Sequence, residues 1–112
     1  MKVIKTQNLH QLVIPHQKGF LFINIEDIIY CRSQGNYSEV YKADGKYILA
    51  TNLLKEVEEL LGGHTFLRIH RSFLVNIRYV SEYLTGKQYI VKLTDGTVLP
   101  ASKSGISKLK KL

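Results

Sequence analysis

Arg71 follows His70 at the end of an apolar run, so a guanidinium and an imidazole stand side by side. A guanidinium there can fork onto O6 and N7 of guanine or grip a phosphate, or form no more than a surface ion pair. His70 can donate to a phosphate or base acceptor, or pack locally and bond to backbone. Earlier in the chain, Arg32-Ser33-Gln34-Gly35-Asn36-Tyr37-Ser38 gathers amide, hydroxyl, aromatic and cationic groups in one glycine-containing loop. That composition suits base edges and sugar-phosphate oxygens, and also an ordinary hairpin loop. Within it Gln34 or Asn36 can pair with adenine, and Tyr37 can reach a phosphate or a thymine methyl. Near the C-terminus Lys103, Lys108, Lys110 and Lys111 occur with no acid among them. They can neutralise phosphates without reading sequence, as Arg32 can, or form a merely solvated face.

These groups need a scaffold, and the chain supplies one made mostly of strands. Short runs rich in Ile, Val, Tyr and Phe predict strands at 11–14, 20–23, 28–32, 37–42, 46–50, 66–70, 79–84, 89–93 and 97–99. Turn signals at Asp44-Gly45, Gly86 and Asp95-Gly96 join some of them into hairpins. Leu53, Leu54, Val57, Leu60 and Leu61 recur at helical spacing; Thr51 or Asn52 is placed to cap that helix and Gly62-Gly63 to stop it. Its other face carries Lys55, Glu56, Glu58 and Glu59, a poor surface to lay along phosphates, so this helix should brace a sheet. Ser102 is expected to cap a final helix with Ile106, Leu109 and Leu112 on one stripe. Asn76 follows three apolar residues and is assigned to closing a backbone turn. The result is an all-β architecture with small helical additions; the crossover helices of a parallel α/β fold are missing.

The 112 residues match one domain, expected to span residues 11–112, with residues 1–10 a polar tail or linker remnant. Sixteen Lys and Arg against nine Asp and Glu give a net charge of +7, which draws a polyanion, with nucleic acid ahead of an anionic membrane surface. Cys31 is the single cysteine, no apolar signal core opens the chain, and no apolar run spans a membrane, so a cytoplasmic location is expected. The histidines at 10, 16, 64 and 70 lack metal-ligand spacing, no glycine-rich loop cradles a phosphate, and His70 with Ser72 makes no triad. Neither an enzyme nor a cofactor is expected.

The stretch Phe66-Leu67-Arg68-Ile69-His70-Arg71-Ser72-Phe73-Leu74-Val75-Asn76 closely resembles the signature of LytTR domains, the DNA-binding modules of many bacterial response regulators. Ile25-Glu26-Asp27-Ile28, the Leu53-Leu54 helix and Leu99-Pro100-Ala101-Ser102-Lys103 agree with it in order and spacing, so the resemblance covers roughly residues 10–112. It implies an elongated stack of antiparallel β-sheets with two short helices, whose loops enter successive major grooves. It places DNA contacts at Gln34, Asn36, Tyr37 and Ser38, at His70 and Arg71, and at Lys103. An Arg usually follows the serine before the last helix; Lys103 stands there instead, and its ammonium lacks the planar fork of a bidentate guanine contact. The resemblance further implies transcriptional regulation, duplex sites in paired direct repeats, a receiver domain on the N-terminal side, and weak homodimerisation mainly on DNA. Two other readings stay open on the residues alone. One is an RNA-binding β-domain that would use the tyrosines at 37, 41, 47 and 89 for stacking; the other is a basic protein-interaction module.

Overall fold

The computed structural model describes residues 4–5, 10–62 and 65–112, with only the backbone of residues 4, 5 and 16. Three antiparallel sheets are stacked along a body of 47 × 28 × 23 Å. The first contains β1 (Ile4–Lys5), β2 (Gln11–His16) and β3 (Gly19–Asn24) in that order. Ile4 and Lys5 thus pair with β2; the rest of the expected tail, residues 1–3 and 6–9, lies outside the described residues, as does Gly63 of the expected helix stop.

The central sheet has five strands: β4 (Ile28–Gln34), β5 (Tyr37–Lys42), β6 (Tyr47–Ala50), β7 (Phe66–His70) and β8 (Phe73–Asn76), in the order β6-β5-β4-β8-β7. The third contains β9 (Val80–Leu84), β10 (Ile90–Leu93) and β11 (Val98–Pro100) with β10 in the middle. Helix α1 (Leu54–Leu60) and helix α2 (Lys103–Lys110) complete the chain. The expected strands are present within a residue or two, and the expected hairpins at Asp44-Gly45, Gly86 and Asp95-Gly96 join β5 to β6, β9 to β10 and β10 to β11.

Strand alternation buries both faces of the central sheet. On one face Ile28, Cys31, Val40, Ala50 and Leu74 pack with Leu12, Ile14 and Ile23 of the first sheet and with Leu54, Val57 and Leu61. On the other, Ile29, Ile69 and Val75 pack with Val91, Leu93 and Leu99 of the third sheet and with Ile106 and Leu109 of α2. This double burial explains why β8 escapes a periodicity reading: Leu74 and Val75 are both 0% exposed but belong to opposite cores, so Phe-Leu-Val-Asn shows no polar alternation.

Two local expectations are corrected. Leu53 is not on the buried stripe of α1; it is the N-cap residue and half-exposed, and the Glu56 carboxylate accepts its N–H at 2.9 Å. Asn52 is buried instead, with its carbonyl accepting the Ser38 hydroxyl at 2.8 Å, which ties the approach to α1 onto β5. Asn76 has the structural role read for it. Its Oδ1 accepts from Arg78 N at 3.1 Å and Thr65 Oγ1 at 3.0 Å, and its Nδ2 donates to Ile28 O at 2.8 Å. One side chain thus closes the turn after β8 and fastens it to β4.

Candidate nucleic-acid interface

The segment 32–38 is not a loop but the end of a tight hairpin. Gln34 pairs with Tyr37 across a two-residue turn, Gly35-Asn36, in which Gly35 adopts a left-handed φ of +59°. Gln34, Asn36 and Tyr37 are exposed at this tip. Ser38 is not: alternation turns it inward beside Val40, where it is fully buried and bonded to Asn52. Ser38 is therefore a packing residue and is removed from the candidate contacts. Arg32 is half-exposed, with Nη1 4.0 Å from Glu39 Oε1, a pair too long and wet to hold it firmly. Glu39 also accepts the Tyr41 hydroxyl at 3.0 Å. Tyr41 stacks on Tyr30 at 4.4 Å, and burial, then the neighbouring Tyr41, pushes the Tyr30 phenol up to about 12. Of the tyrosines a base-stacking surface would use, Tyr41 is thus already occupied, Tyr37 and Tyr47 are exposed, and Tyr89 is half-buried.

The second tip joins β7 to β8 through Arg71 and Ser72, with His70 opposite Phe73. Because β8 pairs antiparallel with β4, this turn lies at the same end of the sheet as the first, and Ser33 N donates to Ser72 O at 2.9 Å between them. The His70 Nδ1 accepts the Ser72 N–H at 3.1 Å. A neutral ring with an accepting Nδ1 carries its proton on Nε2, an N–H with no hydrogen-bond partner among the described residues. His70 therefore both packs locally, with Phe73 at 5.8 Å, and keeps one donor to offer. Arg71 is exposed, and its side chain makes no hydrogen bond or ion pair among the described residues.

The third segment is the start of α2. Ser102 caps the helix by accepting the Gly105 N–H at 2.9 Å, while its own N–H donates to Ile69 O at 2.8 Å. A Cβ on Gly105 would lie 2.2 Å from that same carbonyl, so glycine is what lets α2 press onto β7 beside His70. Lys103, the first helical residue, is exposed there. Lys108, Lys110 and Lys111 are exposed near the far end of α2, about 8 to 12 Å further along the axis. Lys103 joins the two tips; the other three lysines do not.

Sequence reasoning missed Arg68. Its Nε donates to His70 O at 2.9 Å, its Nη2 to Arg71 O, and its Nη1 to Glu58 Oε1 of α1 at 2.9 Å. An arginine inside an apolar strand was the signal, since a half-buried cation needs partners.

Two exposed hairpin tips and a serine-capped basic helix start thus meet at one end of the central sheet. The sequence model of the LytTr DNA-binding domain fits residues 18–112. The chain belongs to this family. LytTR domains serve DNA binding in transcription regulation, and this is the function of the domain. The sensory transduction protein LytT of Bacillus subtilis is 30% identical over 92% of this chain and 43% of its own length. A heme-containing CO-sensing transcriptional regulator of Paraburkholderia xenovorans, RcoM 1, is 26% identical over 95% of this chain and 40% of its own. The chain thus spans less than half the length of these relatives. A solved LytTr DNA-binding domain from Bacillus cereus superposes with a TM-score of 0.74 at 22% identity, covering 90% of this chain and 94% of that one, which establishes the shared fold. Among the described residues no group of His, Cys, Asp and Glu is arranged to hold a metal ion, and no helix is long and apolar enough to cross a membrane.

Proposed function

We propose that this LytTR domain reads duplex DNA sequence-specifically through the end of the central sheet, with base contacts from Arg71, Asn36 and Gln34. The supporting observation is the junction of three separate segments, the Gly35-Asn36 turn, the Arg71-Ser72 turn and the start of α2, fastened by Ser33 N to Ser72 O and Ser102 N to Ile69 O. Such fastening holds exposed polar side chains in a fixed mutual arrangement, which base readout requires. Tyr37, the His70 Nε2–H and Lys103 contact the backbone beside the read bases; Arg32, Lys108, Lys110 and Lys111 add phosphate neutralisation. Residues 11–112 act as the DNA-binding unit and residues 1–10 as its lead segment. The domain works as the output of a longer cytoplasmic regulator, with a receiver on its N-terminal side, and two copies sit on paired direct repeats, self-associating weakly without DNA.

The test is selection of sites from a random duplex library at rising salt, because phosphate-only binding weakens steeply with salt while base contacts keep favouring their sites. A repeated motif should be enriched. Arg71→Ala should then cost about 1 to 3 kcal/mol on that motif and much less on random DNA. Salt-sensitive binding with no enriched motif would refute the reading, and equal losses on both DNAs would reduce Arg71 to a phosphate contact.

A further inference from the structure

We propose that Arg68 and Glu58 form a clamp that sets the geometry of the Arg71 turn, making Arg68 a positioning residue for sequence discrimination that does not itself touch DNA; this rests on Arg71 reading bases. Each of the three nitrogens of the Arg68 guanidinium donates a hydrogen bond inside the protein. Nε and Nη2 hold the consecutive carbonyls of His70 and Arg71, and Nη1 meets Glu58 at 2.9 Å. The planar fork fixes the relative orientation of the two peptide groups that flank the Arg71 Cα, and so the direction in which the Arg71 side chain leaves the backbone. It also covers two carbonyl oxygens whose negative ends would otherwise oppose a nearby phosphate.

The register of β7 explains why the turn needs such a clamp. The pairing shifts between Arg68 and His70, so Ile69 bulges out of the ladder and its carbonyl is left to accept from Ser102 at the start of α2. A bulge removes ladder bonds that would otherwise hold the turn. Arg68 replaces them from the α1 side, and Ser102 from the α2 side.

Arg68→Lys keeps the charge but loses the fork. Relative to the wild type it should bind the selected motif about tenfold more weakly and random duplex within about twofold, with an unchanged salt slope. Glu58→Gln, which alters the far end of the clamp and leaves the turn sequence intact, should shift the same ratio in the same direction by a smaller factor. In a double-mutant cycle, Arg68→Lys should cost nothing further once Arg71 is alanine, because Arg68 acts through Arg71. Equal weakening on both DNAs with a shallower salt slope would make Arg68 a phosphate contact, additive losses would make it independent of Arg71, and an unchanged ratio would make the clamp idle; each overturns the proposal. Amide exchange in the free folded domain separates this from failure of the Arg71 reading. The amides of Ser72 and Ser33, both bonded through this turn, should exchange about tenfold faster in Arg68→Lys while core amides stay protected. If Arg71→Ala leaves discrimination intact, the base-reading role falls, and unchanged exchange would then remove the clamp as well.

Discussion

Gly105 offers the sharpest test of how α2 is seated. In an ordinary helix, glycine to alanine gains about 1 kcal/mol from reduced backbone freedom. Here the added Cβ would stand 2.2 Å from Ile69 O and 2.7 Å from its carbonyl carbon and Cα. Those are backbone atoms of a central-sheet strand, so no side chain can swing away. Restoring an ordinary contact of 3.4 Å requires α2 to retreat by more than 1 Å. That retreat stretches the 2.8 Å bond from Ser102 N to Ile69 O and the 3.3 Å bond from the Ser102 hydroxyl. It also loosens Ile106 and Leu109 in the second core.

Overpacking costs about 1 to 3 kcal/mol and each weakened hydrogen bond about 1 kcal/mol. Against the helical gain, Gly105→Ala should therefore destabilise the domain by about 2 to 4 kcal/mol, read as a lower urea midpoint at unchanged m-value. Ser107→Ala, at an exposed position of the same helix, should stay within about 0.5 kcal/mol. Stability equal to or above wild type for Gly105→Ala would refute the close seating of α2 on the bulge. Since Lys103 and the Arg71 turn both hang on that seating, the variant should also lose affinity for the selected motif at temperatures where it remains folded.

Cys31 is fully buried, and burial pushes its thiol up to about 12 from an ordinary value near 9. The native state then keeps a proton that the unfolded chain releases, so its contribution is intact below pH 9 and declines as pH rises from 9 toward 12. Between pH 9 and 11 the wild type should lose about 2 kcal/mol more stability than Cys31→Ala, measured by denaturant titration at each pH. Parallel pH profiles would refute it. Asn76→Ala leaves Ile28 O, Thr65 Oγ1 and Arg78 N without their buried partner and should cost about 2 to 4 kcal/mol in the same assay. Ser38→Ala should cost about 1 to 2 kcal/mol of stability and leave the ratio of motif to random affinity unchanged; a changed ratio would return Ser38 to the interface.

The exposed chemistry was legible because turn residues announce themselves by type: Gly35-Asn36 and His70-Arg71 interrupt apolar runs with groups a core would not hold. What held them in place was hidden by strand parity. Counting back by twos from Val40, a core residue, puts Ser38 on the inward face, and counting forward from Phe66 puts Arg68 on the face that meets α1. Reading 32–38 as a loop suspended that count, and Ser38 was sent outward. Reading 66–70 as apolar left Arg68 without a role, although its partner Glu58 lies on the helix whose acidic face was already noted. The pairing of β4 with β8 had no local signal, because it depends on Cys31 meeting Leu74 across a gap that contains three strands and a helix. Yet that pairing brings the two tips together. Local residue types identify which groups can touch DNA, whereas the registers of β4, β7 and β8 determine whether they do so as one surface.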